Sequence, residues 1–193
     1  MPHSRESRDE DDDAGSLLPV EELLPLPRLN DRATVYSGSC LALSTPLVAH
    51  VHSLLPLTPA LTLSIGSGFG LLEALLIAAP YSSNIVGVEV APSPNTYLPQ
   101  TSHRVVHGTR FHEPLAAAAE AWLFVYPRRV GLVTEYLMSY GHDAVQKIIW
   151  IGPQADWDDY KPCFAEWEVH TENADEVGGK AWELIATARR PTT

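Results

Sequence analysis

Cysteine is nearly absent: the 193-residue chain holds two, Cys40 and Cys163, far apart and without partner spacing. That excludes a disulfide framework and a cysteine-based zinc site, and it fits a reducing intracellular compartment. No stretch reaches the eighteen or so uninterrupted apolar residues that a membrane helix requires, so no membrane contact is expected. The opening residues, MPHSRESRDEDDDAGS, lack the apolar core of a secretory signal. The expected location is cytoplasmic, with the nucleus left open.

Positive charge is scarce as well. Lys and Arg number 13 against 24 Asp and Glu, and residues 1–22 carry −6 of the net charge of −11. The acidic run over 1–16 reads as a solvated, disordered tail. Residues 17–43, apolar and broken by proline, read as a strap on the domain formed by 44–193. The folded part has no basic stripe, which disfavours nucleic acid held through its phosphates. Arg128 and Arg129 form one local basic spot. Gly-x-Ser-x-Gly, Walker and metal-cluster patterns are all missing.

What is present is regular alternation. "STPLVAHVHSLLP" predicts a helix with Ser44 or Thr45 as N-cap and Pro46 in its first turn, closed by Pro56. Strand "LTLSIG" and helix "LLEALLIAAP" follow, then the apolar strand "NIVGVEV" over 84–90. Next come strand 103–108, a short helix "EPLAAAAEA", strand 122–127, helix "RVGLVTEYLMSYG" and strand 144–152. A helical turn "DWDDYKPCFA" precedes two closing strands, 166–172 and 181–190. The linker "APSPNTYLPQTS" holds too much proline for a helix. Continuous rather than alternating apolar strands imply a parallel sheet covered on both faces. The class expected is α/β, a Rossmann-like, doubly wound, mostly parallel sheet in three α/β/α layers, closed by a C-terminal antiparallel hairpin.

Three alternating glycines, "GSGFG", end the first strand and open a helix. Glycine permits a tight turn and lets backbone approach a ligand without a Cβ in the way. The helix start then offers free N–H groups to a polar or anionic group. Glu89, near the end of the second strand, is placed to accept both ribose hydroxyls of a nucleoside. A dinucleotide fingerprint is G-x-G-x-x-G, which this loop is not. A nicotinamide oxidoreductase is accordingly the weaker reading.

The spacing G-x-G-x-G, the acidic second strand and the closing hairpin resemble the class I S-adenosylmethionine-dependent methyltransferases over residues 44–190. "YSGSCLALSTP", "SIGSGFG", "LFVYPRR" and "IIWIGP" are also similar, in order and spacing, to little-studied methyltransferase-like proteins with GAGxGYW and CWPP motifs. The resemblance implies S-adenosylmethionine as cofactor. It places the cofactor's amino-acid part on Ser64, Gly66, Ser67, Gly68 and Gly70, its ribose on Glu89 and its adenine along Gly108 and Thr109. Tyr126 and Pro127 would border the transferred methyl. Ser64 stands where the family usually has an acid, and Thr109 where an aspartate is common. The fourth strand ends in "VYPR" rather than (D/N)-P-P-Y, which disfavours methylation of nucleobase amines. The function implied is methyl transfer to a small molecule or a protein side chain. The alternative is an inactive methyltransferase-fold binding or scaffold protein.

Methyl transfer from a sulfonium needs chiefly alignment and desolvation. Tyr126 is the leading substrate-side candidate. Arg128 and Arg129 could orient an acidic substrate, since arginine in a first helical turn opposes the helix dipole. His107 or His112 could act as a base, though rim histidines are commoner. Trp150, Trp167 and Trp182 read as core or sheet cover, and Trp157, in "DWDDY", as a lid or rim aromatic.

Overall fold

The computed structural model describes residues 23–108 and 111–191. The tail expected over 1–16 and the Thr109 assignment lie outside the described residues. Seven strands form one sheet in the order β3-β2-β1-β4-β5-β7-β6. They are β1 (Thr62–Ile65), β2 (Ile85–Val90), β3 (His103–Val106), β4 (Ala121–Val125), β5 (Lys147–Pro153), β6 (Glu168–Asn173) and β7 (Glu183–Arg189). The first five are mutually parallel, and β7 runs antiparallel to both β5 and β6. The closing hairpin thus inserts its second strand into the sheet and leaves its first at the edge.

Strand alternation separates two apolar layers. Leu63, Ile65, Trp122, Phe124, Ile148 and Trp150 pack with Val133 and Tyr136 of helix α3 (Val130–Tyr140) and with Trp157 of the short α4 (Trp157–Tyr160). Leu123, Ile149, Ile151 and Ile185 face helices α1 (Thr45–Leu54) and α2 (Leu71–Ile77). Both faces of the central strands are therefore covered, which is why β4 and most of β5 read as continuous apolar runs. Ser44 is the α1 N-cap: its hydroxyl accepts from the Leu47 amide and donates to the Gly178 carbonyl.

The strap is tied down in its described part. Thr34 and Leu43 form an antiparallel bridge, and Leu41, Ala42 and Leu43 are fully buried. One predicted element is corrected: "EPLAAAAEA" gives only a 3₁₀ turn, Pro114–Ala117. Ala116 and Ala119 are buried, and the chain must reach β4 at Ala121 at once, so no longer helix has room.

Strand order reverses between β1 and β4. In an open parallel sheet that switch point opens a crevice outside the carboxyl ends of the strands. The glycine loop leaves β1 there and Tyr126 leaves β4.

Candidate functional site

All three loop glycines adopt left-handed backbone, with φ of 80° at Gly66, 57° at Gly68 and 81° at Gly70. Their surroundings divide them. A Cβ added to Gly66 or Gly68 would meet nothing within 4 Å. One added to Gly70 would lie 2.7 Å from the Leu98 side chain and 2.8 Å from Asn95 Oδ1. Gly70 is thus a packing glycine, pressed on the loop that follows β2. Gly66 and Gly68 border open space, a cradle that a ligand can enter and that a side chain would fill.

The loop is pinned to β2. The amides of Gly66 and Ser67 donate to the Val88 carbonyl, and that of Gly70 to the Ser67 carbonyl. The Gly68 amide donates instead to Glu89 Oε2 at 2.7 Å, while Glu89 Oε1 accepts from the Val90 amide. A carboxylate has about four acceptor sites, so Glu89 keeps capacity for two hydroxyl donors. The structure therefore brings Gly66, Ser67, Gly68 and Glu89 together at one crevice. The proline-rich crossover completes the wall: Thr96 and Tyr97 donate backbone bonds to the Phe69 carbonyl. On the other side Gly38 of the strap, at φ 80°, lies against the Phe69 ring, where a Cβ would fall 2.6 Å from Cγ.

Ser64 is placed differently. It is 1% exposed, and its hydroxyl donates at 2.6 Å to Glu73 Oε1 of α2. Glu73 is itself 2% exposed, and burial pushes its carboxyl up to about 7 despite the Ser64 bond. Residue reading overlooked this acid, although a lone charge inside the apolar helix "LLEALLI" was a visible signal.

Tyr126 stands just past β4 with φ 49°, one of two non-glycine residues among those described with a positive φ. Such backbone costs on the order of 1–3 kcal/mol and persists where surroundings enforce it. Here the Tyr126 amide donates to the Ile151 carbonyl at 2.7 Å, and Glu183 holds the side chain. This carboxylate, 1% exposed, accepts the Tyr126 hydroxyl at 2.9 Å, the Ala42 amide at 3.1 Å and the Lys180 amide at 2.9 Å. Burial, then the Glu183 bond, raises the Tyr126 hydroxyl pKa well above the ordinary phenol value. A charged residue in the buried strand "ELIATAR" was the signal that sequence reasoning missed.

Beside Tyr126 lies a cavity of about 400 Å³, lined by Cys40, Pro127, Arg128, Val130, Trp150 and Tyr160 among others. The Tyr160 hydroxyl holds the Pro127 carbonyl at 2.5 Å. Arg128 is exposed and lines this cavity. Arg129 is occupied: it grips both Glu135 oxygens at 2.7 and 2.8 Å, which lowers the Glu135 pKa. That pairing offsets the unfavourable dipole, so Arg129's place needs no substrate to explain it. His107 is exposed, and His112 turns onto the Tyr136 ring at 4.9 Å.

The tryptophans exchange roles. Trp157 is 9% exposed and stacks on Phe164, so it is core and not a lid. Trp182, expected as sheet cover, is 59% exposed, with Lys180 Nζ 5.7 Å from its ring centre. It precedes β7, beyond the point where pairing would bury it. Among the described residues no group of three or more side chains could hold a metal ion, and no helix is long and apolar enough to cross a membrane.

No protein-family model matches the chain, and no curated protein matches its sequence. Solved structures do match. Precorrin-6y C5,15-methyltransferase from Geobacter metallireducens superposes at TM-score 0.57 and 11% identity, over 83% of this chain and 94% of that one. Human N-acetylserotonin methyltransferase in complex with S-adenosylmethionine gives 0.52 at 14% identity, over 75% of this chain and 52% of its own. The small RNA methyltransferase HEN1 gives 0.54 at 13%, over 79% of this chain and 26% of its own. With a small RNA methyltransferase among its structural neighbours, the fold lends no support to the expectation that nucleic acid is disfavoured as a partner.

Proposed function

On the premise that this chain has the fold of the class I S-adenosylmethionine-dependent methyltransferases, we propose that it binds that cofactor at the switch-point crevice and transfers its methyl group to a small molecule or a protein side chain. The observation that carries the reading is the pair Gly66 and Gly68, whose missing Cβ atoms face open space opposite Glu89.

When bound, the cofactor supplies an electrophilic methyl on a sulfonium. The residues of this chain then have separable tasks. Gly66, Ser67 and Gly68 let backbone approach the amino-acid part, and Glu89 accepts from the ribose hydroxyls. Tyr126, held rigid by Glu183, forms the wall between this crevice and the cavity at the ends of β4 and β5. That cavity admits a side chain or small molecule, and Arg128, Asp156 and Asp159 line it with charge of both signs. Tyr126, Trp150 and Tyr160 line one side of it, where an acceptor packed against their rings would be desolvated. Such desolvation, together with alignment, is most of what a displacement on a methyl sulfonium asks of a protein. Its hydroxyl pKa is raised and the hydroxyl donates a hydrogen bond to Glu183, so Tyr126 keeps its proton and is a shaping group rather than a base.

Calorimetric titration with S-adenosylmethionine, with NADH in parallel, tests the reading. Micromolar binding of the sulfonium cofactor alone supports it. Heat with neither ligand favours the scaffold alternative, to which Ser64 lends weight, since its hydroxyl is taken up by Glu73.

A further inference from the structure

Glu73 has no task in the scheme above, yet it is the buried acid placed nearest the glycine loop. It enters from the first turn of α2, directly after Gly70, and its side-chain partner is the Ser64 hydroxyl of β1, one residue before Ile65 leads into Gly66. The groups facing it are few. Glu73 is the only ionisable residue of α2, β1 offers the neutral Ser64, and the end of β2 offers Glu89, whose charge opposes ionisation of Glu73. On α1, packed alongside, His50 is turned to Glu172 and His52 to Ser83 and Tyr81. Tyr97, from the loop after β2, packs on the apolar cluster of that face. Among the described residues no cation pairs with Glu73.

A carboxyl in that setting holds its proton more tightly than one in water, because nothing nearby repays the desolvation of its charge. A ligand bringing positive charge to the loop changes that balance. S-adenosylmethionine carries an ammonium, a sulfonium and a carboxylate on the amino-acid part assigned to Gly66 and Gly68, so it brings a net positive charge there. We propose that Glu73 is a positioning residue that gives up its proton to solvent as the loop takes a cationic cofactor, so that binding is coupled to proton release through the Ser64–Glu73 pair. The proposal rests on reading the crevice as a sulfonium-cofactor site. It adds a pH dependence within the physiological range, because Glu73 titrates near 7 in the free protein. If only ionised Glu73 favours binding, apparent affinity follows the ionised fraction, a rise of roughly eightfold between pH 6 and 7.5.

The test is titration calorimetry of the full chain with S-adenosylmethionine from pH 6 to 7.5, repeated at pH 6.5 in buffers of different ionisation enthalpy. At pH 6.5 the ligand's ammonium stays protonated free or bound, so it contributes little to proton exchange. The wild-type protein is expected to release about three quarters of a proton per ligand at pH 6.5 and to bind more tightly as pH rises. Glu73→Gln, whose amide oxygen still accepts from Ser64, is expected to release none and to bind with affinity flat to within about twofold. Tight binding by wild-type protein without proton release would overturn the coupling while leaving the cofactor site intact. Equal release by wild-type and Glu73→Gln would assign the proton to another group and also overturn it. No heat from either protein at any pH would sink the cofactor reading itself, and the coupling with it. The proton count comes from wild-type protein alone, so the proposal stays falsifiable if the variant fails to fold.

Discussion

Alanine placed at each loop glycine in turn should separate ligand-facing backbone from packing backbone. At Gly66 and Gly68 a new Cβ meets no neighbour, so the stability cost is conformational only. Left-handed backbone costs an L-residue roughly 1–2 kcal/mol, and the stiffer unfolded chain returns about 0.4–1. A net loss of about 1 kcal/mol is expected for each. At Gly70 the same penalty is joined by a clash with Leu98, which is 0% exposed, and with Asn95, held by two hydrogen bonds to Leu98. Overpacking adds about 1–3 kcal/mol, so Gly70→Ala should lose about 2–4. Urea unfolding measures these costs, and titration with S-adenosylmethionine measures affinity. Gly66→Ala and Gly68→Ala should lose at least about tenfold in affinity, because the methyl occupies ligand space. Gly68→Asn sharpens the test, since asparagine tolerates left-handed backbone: stability should stay near wild type while binding is lost. Binding by Gly68→Asn within about twofold of wild type would refute the placement of the ligand on this loop. Equal stability losses at all three positions would refute the division of roles.

Three further outcomes are expected. Glu89→Ala should weaken S-adenosylmethionine binding by about 1–3 kcal/mol in the same titration, from lost charge-assisted bonds to ribose and a freed Gly68 amide. Glu183→Ala strands two amides and the Tyr126 hydroxyl, and it should cost about 2–4 kcal/mol in urea unfolding. Tyr126→Phe leaves both amide bonds intact and should cost about 1 kcal/mol or less. Stability should also depend on pH through Glu73. Its carboxyl is raised from 4.5 to about 7, so between those values the folded protein holds a proton that the unfolded chain has released. That contribution is present below pH 4.5 and lost as pH rises through 7, at up to about 1.4 kcal/mol per pH unit. Urea midpoints of wild type and Glu73→Gln should diverge along that slope, and parallel curves would contradict it.

Much of the architecture follows from local pattern. Pro46, Pro56 and Pro80 bracket two helices because proline tolerates a first turn and ends a last one. The β-branched run at 84–90 could only be a strand buried on both faces. The glycine spacing and the acid at Glu89 announced a crevice before any coordinates. Pattern failed where a side chain's setting depends on distant chain. Trp157 and Trp182 sit in similarly polar neighbourhoods, but α3 and β5 bury one while the other falls outside β7 pairing. Arg129 invited a substrate because Glu135, six residues on, is a neighbour only once the helix has formed.

The sequence by itself determined the order and kind of nearly every element, the three-layer class, and the glycine turn at the end of β1, because periodicity, proline and glycine act over a few residues. Tertiary structure alone decided which glycines border open space and which face Leu98, and how the closing hairpin inserts β7 beside β5. It alone made Glu73 a proton-holding acid and Glu183 the anchor of Tyr126. Those properties are set by desolvation and by partners 9 and 57 residues away in the chain; a charge inside an apolar run marks each acid, but no local pattern names its partner.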